Sequence, residues 1–138
     1  MSWDVMIFNT CGKAPPPLEQ LQESDYEPLG TAAEVRQRIA ALLPGVDWTD
    51  TTWGLYGGDG FSIEFNVGDN DLIENMMLHV RGGGDAISPI VTIAYPNGWS
   101  ALDCTTSEFL DLQNPSQEGW KGYQSYCDKV LKKTNSRR

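Results

Sequence analysis

The chain reads as an α+β fold, a mainly antiparallel sheet of about six strands with two or three helices packed against it. Three observations predict this. Apolar residues alternate with polar ones over residues 52–67, they recur at helical spacing over 31–43 and 87–94, and the elements follow in the order β, α, β, β, β, α, β, β, α. With 138 residues, 40% of them hydrophobic, and five Trp, five Tyr and four Phe, there is material for one ordinary core and not for two. The expected domain spans 1–133, followed by a frayed basic tail at 134–138.

The run WDVMIFN at 3–9 is short, apolar and alternating, which suits a buried first strand. Gly12, the triplet Pro15, Pro16 and Pro17, Pro28 and Gly30 then forbid a long regular element, because proline lacks the amide donor and fixes φ. An ordered loop is expected there, with one helical turn near Leu18. Thr31 followed by Glu34 fits a capping box, and Val35, Ile39, Leu42 and Leu43 form the stripe of a helix that Pro44 and Gly45 end.

From Thr52 the period becomes two. Trp53 and Leu55, the turn at 57–60, and then Phe61, Ile63, Phe65 and Val67 predict a hairpin with one buried and one wet face. A third strand follows the turn at 68–71, with Leu72, Met76, Leu78 and Val80 in one register and Asn75, Met77, His79 and Arg81 in the other. This meander is expected at the center of the sheet. Ile87, Ile90, Val91 and Ala94 mark a second helix, with Pro89 in its first turn. A final hairpin is expected from 99–104 and 109–112, and a last helix capped by Ser116, with Trp120, Tyr123, Cys127, Val130 and Leu131 on one side. Gly119 and Gly122 weaken its first turns by about 1 kcal/mol each relative to alanine.

Charge is divided along the chain. Residues 1–120 hold eighteen of the nineteen acids and four of the ten bases, a net of −14, whereas residues 121–138 hold six bases and one acid, a net of +5. Such a body repels phosphate backbones and anionic lipid and attracts basic surfaces. Nucleic-acid binding is therefore not expected, and no apolar run approaches the roughly 20 residues that span a bilayer. The opening residues lack the basic start and apolar stretch of a signal peptide, so the expected location is cytoplasmic. Cys11, Cys104 and Cys127 are odd in number and lack zinc spacing, which predicts reduced thiols, with Cys104 in the core.

No motif specifies a reaction. Gly82, Gly83 and Gly84 precede a helix, yet neither GxGxxG nor GxxxxGK[ST] is present, and Asp85 would occupy the position of an anion. His79 is the single histidine; with Cys104 and Asp103 it permits the sketch of a nucleophile, base and orienter that no spacing supports. Asp69, Asn70 and Asp71 lack the central glycine and closing glutamate of a calcium loop. No cofactor or metal is expected. Asp59, Asp69, Asp71 and Glu74 sit at or beside the meander turns, where they form either turn chemistry or an acidic rim. Trp53 and Tyr56 are the expected exposed aromatics beside that rim, and Trp3 and Trp99 the core ones.

The strings WDVMIF, GDGFSIEFNVG, HVRGGGD and NGWSALDC resemble a group of small stand-alone bacterial proteins. The resemblance would cover nearly the whole chain and implies no activity and no catalytic residue. In being small, acidic and without a catalytic signature, the chain is also similar to immunity proteins of bacterial toxin systems. The leading expectation is an acidic protein-binding domain that neutralises a basic toxin domain, with Asp59, Asp69, Asp71 and Glu74 for attraction and Trp53 and Tyr56 as anchors. The alternatives are a small-molecule-binding protein or enzyme with a pocket at His79, Arg81 and residues 82–85, in which Asp85 takes part, and a subunit of a homo-oligomer.

Overall fold

The computed structural model describes the backbone of residues 2–136 and the side chains of residues 2–129. Its main feature is a six-stranded, wholly antiparallel sheet. The strands are β1 (Trp3–Asn9), β3 (Trp53–Gly57), β4 (Phe61–Asn66), β6 (Asn75–Gly82), β7 (Trp99–Asp103) and β8 (Glu108–Phe109), in the order β3-β4-β6-β1-β7-β8. A separate two-residue ladder joins β2 (Gly30–Thr31) to β5 (Leu72–Ile73). The helices are α1 (Ala32–Leu42), α2 (Ile87–Ala94) and α3 (Glu118–Ser136).

Strand parity decides which side chains are buried. Trp3, Val5 and Ile7 of β1 align in register with Val80, Leu78 and Met76 of β6, and Ile63 and Phe65 of β4 continue the same face. All eight are buried. Val35, Ile39 and Leu43 from the first helical segment and Ile87, Ile90, Ile93 and Ala94 from α2 join this core. The capping box is present as expected: the Glu34 amide donates to Thr31 Oγ1 at 3.2 Å and the Thr31 amide to Glu34 Oε1 at 3.1 Å.

The meander β3-β4-β6 forms, but only its β6 is central: β1, inserted between β6 and β7, is the other central strand, and β3 is an edge. Local patterns carry no signal for that insertion, because pairing is set by long-range packing. The third expected strand is also broken. Leu72 and Ile73 leave the sheet to pair with β2, so Ile73 is buried and Leu72 is 50% exposed. Val130 and Leu131, expected on the stripe of the last helix, have side chains outside the described residues. The segment 134–138, expected to fray, is helical as far as Ser136.

Both sheet edges are blunted. Leu55 on β3 exchanges backbone hydrogen bonds with Asp47 at 2.7 and 3.0 Å, and β8 is two residues long. The proline-rich loop covers part of the wet face: Phe8 packs edge-on to Tyr26 and Phe109, Thr10 shares a 2.5 Å hydroxyl contact with Ser100, and Glu27 bridges to Asn9. The remainder of that face, over β3, β4, β6 and the start of β1, retains partly exposed side chains.

The triple glycine serves close packing. Gly82 has φ +99°, and a Cβ there would collide with Gly60 O and lie 2.9 Å from Phe61 Cα. Only glycine allows β6 to turn this tightly against the β3–β4 hairpin, where the Gly83 amide donates to Gly60 O at 2.7 Å.

Candidate functional site

The wet sheet face collects the polar side chains that the sequence scatters. Antiparallel register sets Asp4 opposite His79 and His79 opposite Glu64, so β1, β6 and β4 contribute one cross-strand row. His79 Nδ1 lies 2.9 Å from Asp4 Oδ1 and 3.3 Å from Ser2 Oγ, and Ser2 Oγ also contacts Asp4 Oδ1. Two residues along β6, Arg81 Nη1 donates to Glu64 Oε1 at 2.6 Å. Trp53 reaches over β4 and stacks on the His79 ring, with centroids 5.6 Å apart and planes at 14°. The side chains of His79 and Glu64 are 23% and 24% exposed, those of Asp4 and Arg81 39% and 41%.

This geometry orients an imidazole without supplying a nucleophile. Asp4 accepts at Nδ1, which directs Nε2 away from the pair, the arrangement a positioned base would use. Cys104 lies on the opposite flank of Asp4, its amide donating to Asp4 O at 3.1 Å. Its thiol is pushed up by desolvation, and next by the charges of Asp4 and Asp103, which disfavors thiolate. Cys104 is exposed rather than in the core, because Asp103, its neighbor, takes the inward parity at the end of β7. Asp103 accepts from Trp3 Nε1 at 3.0 Å and from the Thr105 amide at 2.8 Å. The sketched set of Cys104, His79 and Asp103 is therefore not assembled.

The start of α3 borders this region. Trp120 packs on Trp3 at 5.5 Å and donates through Nε1 to Gly84 O at 2.8 Å. Tyr123 stacks on Trp120, and burial, followed by the Cys127 thiol, holds its hydroxyl above the usual range.

The remaining expected site residues separate. Asp59 lies in the β3–β4 turn, whereas Asp69, Asp71 and Glu74 lie past the other end of β4, about 20 Å away for six residues of strand. All four are exposed, and no described residue forms a side-chain hydrogen bond or ion pair with them. The single rim expected from the turns is two separate acidic ends. Trp53 and Tyr56 do not form one anchor either: they have opposite parity on β3, and Tyr56 packs against Phe61 and the core. Both are half-buried, whereas the exposed large apolar residues among the described ones are Leu55, Leu72, Tyr95 and Tyr126.

Asp85 is committed elsewhere. It accepts from the Ser88 amide at 3.1 Å and the Ser88 hydroxyl at 2.5 Å, closing the first turn of α2. It lines a groove of about 340 Å3 with Ser88, Leu112 and Gln117, while neither His79 nor Arg81 lines this groove or three others of about 180 to 490 Å3. None of these four grooves brings His79 and Arg81 together with Asp85. Among the described residues, no group of three or more His, Cys, Asp or Glu could hold a metal ion.

Asp4 was missed as a site residue, although the alternation of residues 3–9 places it on the wet face. Its partner was not readable, since the β1–β6 pairing joins residues 75 positions apart. No helix in the described residues is long and apolar enough to cross a membrane. No family model, no curated protein and no solved structure matches the chain.

Proposed function

We propose that this chain is an acidic protein-binding domain that engages a basic protein, and that it serves as an immunity protein neutralising a basic toxin domain. The observation that carries this reading is the excess of carboxylates over bases in residues 1–120. Residues 1–120 hold eighteen acids and four bases, and the ion pairs among the described residues are Arg81 with Glu64 and His79 with Asp4. Surplus carboxylates attract a cationic surface, accelerate encounter and make it salt-dependent.

Affinity capture from native cell extract at low ionic strength tests the proposal. The expected result is a basic protein that about 0.5 M salt releases, because screening then acts within a few ångströms. Co-expression with that partner is expected to restore growth where the partner alone arrests it. Capture of no basic protein sinks the binding reading, and failure to restore growth sinks the immunity role.

A further inference from the structure

We infer that the free edge of β8 and the proline run beside it form a groove that receives an extended segment of a protein partner, with a lysine or arginine beside Glu19 and Glu108. The inference names the surface used in the protein-binding proposal and rests on it. Leu102 of β7 pairs with Phe109 of β8, and the Leu110 amide donates to Ala101 O at 2.8 Å. In an antiparallel ladder that bond makes Leu102 and Phe109 a non-hydrogen-bonded pair, so the Phe109 N–H and C=O both point away from β7, toward the sheet edge. Among the described residues, no loop segment bonds to either group. The Phe109 ring packs edge-on to Phe8 at 6.1 Å, which holds these two backbone groups in place.

The prolines explain why this edge stays open. Two segments, 15–19 and 106–109, line a groove of about 490 Å3 in which no residue of β7 takes part. Proline has no amide N–H, so Pro15, Pro16 and Pro17, although they run beside the edge strand, cannot donate to its carbonyl. Pro17 has φ −52° and ψ 149°, close to polyproline geometry, so this wall is stiff before anything binds. A partner residue in strand conformation brings the missing donor and acceptor together and exchanges both bonds with Phe109. Because β8 is two residues long, that ladder is short and the groove walls supply the remaining contacts. Charge in the groove itself selects the side chain: Glu19 and Glu108 are the charged residues among the nine that line it, and both are exposed. No described residue makes a side-chain hydrogen bond or ion pair with either carboxylate.

NMR titration of the isotope-labeled full chain with the capped peptide TVKVTV tests the inference. Saturable shifts centered on the Phe109 amide and on Leu18 and Glu19 are expected, with slowed hydrogen exchange at Phe109. The same peptide N-methylated at every backbone amide keeps its side chains but cannot donate, and is expected to lose saturable binding. Glutamate in place of the lysine is expected to weaken binding about threefold or more, and Glu19→Gln with Glu108→Gln to remove that difference between the two peptides. Both substitutions are at exposed positions, and thermal melting verifies that the variant folds. Shifts centered elsewhere, undiminished binding of the N-methylated peptide, or no saturable binding would overturn the inference. Concentration-dependent shifts of the same amides without peptide would assign the edge to a second copy of the chain and overturn it too. A native basic partner whose complex leaves exchange at 106–110 unchanged would overturn this site while leaving the protein-binding proposal intact.

Discussion

The indole N–H of Trp3 donates to Oδ1 of Asp103 across 3.0 Å, linking the start of β1 to the end of β7 over a hundred residues of sequence. The same carboxylate oxygen accepts the Thr105 and Thr106 amides at 2.8 and 3.3 Å, so one buried acid fastens a core tryptophan and the β7–β8 turn. Gly119 of α3 lies against its other oxygen. Replacing Asp103 with alanine leaves these donors unsatisfied, each at a cost of about 1–3 kcal/mol. Urea denaturation is expected to show a loss of at least about 2 kcal/mol for Asp103→Ala and a smaller one for Asp103→Asn, which retains an acceptor. Equal stability of wild type and the alanine variant would contradict this role.

Two glycines of α3 are expected to respond in opposite directions. Alanine exceeds glycine in a helix interior by about 1 kcal/mol, and nothing lies within 4 Å of a Cβ built at Gly122. Gly122→Ala is therefore expected to raise the melting temperature. At Gly119 a Cβ would overlap the Asp103 carboxylate, and the clash with a buried, multiply bonded group outweighs the same helical gain. Thermal melting of the two variants compares them directly; a stabilising Gly119→Ala would refute the packing argument.

Acid is expected to remove a defined share of stability. Asp47, Asp50 and Asp85 are held below the usual carboxylate range by the hydroxyl and then the amide of Thr49, Thr52 and Ser88, and Glu34 by the amide and then the hydroxyl of Thr31. Because the folded values lie below the unfolded ones, these groups stabilise the fold above the ordinary range near about 4, and the contribution is lost as pH falls through the lowered values. Melting temperature followed from about pH 6 to 2.5 should show this loss. Asp47→Asn, Asp50→Asn, Asp85→Asn combined should flatten that acid limb, which separates these bonds from the general relief of negative charge. An unchanged limb in the triple variant would count against them.

Cys104 is expected to alkylate slowly at neutral pH and to accelerate as pH rises above the ordinary thiol range, about 8.5. Desolvation is the first cause, followed by the negative charges of Asp4 and Asp103. Asp4→Asn removes one of those charges and should increase the labeling rate, read by peptide mass spectrometry after timed iodoacetamide treatment. A rate that is already fast and unaffected by Asp4→Asn would show that this environment does not control the thiol.

Sequence legibility follows the range of the interactions. The first strand, the capping box at Thr31 and Glu34, the hairpin around 57–60 and the second helix were readable, because each depends on neighbors within a few residues. Leu72 does not continue the register of Met76, Leu78 and Val80 because β5 pairs with β2, some forty residues away, and that pairing re-aims the side chain. Cys104 was misplaced for a related reason: hydropathy favors a buried thiol over a buried carboxylate, but Trp3 and two turn amides satisfy Asp103 and reverse the preference. Of the candidate face, Trp53, His79 and Arg81 were individually visible, and their grouping with Asp4 and Glu64 was not.

The amino-acid sequence by itself determined the α+β class, the period of each element and the charge of −14 over residues 1–120, since composition and local spacing contain those quantities in full. The tertiary structure alone decided that β1 lies between β6 and β7, and hence that Asp4 meets His79 and His79 meets Glu64. The reason is physical: which strands become neighbors is settled by burying Trp3, Val5 and Ile7 against residues far along the chain, and the polar face is the other side of that same choice.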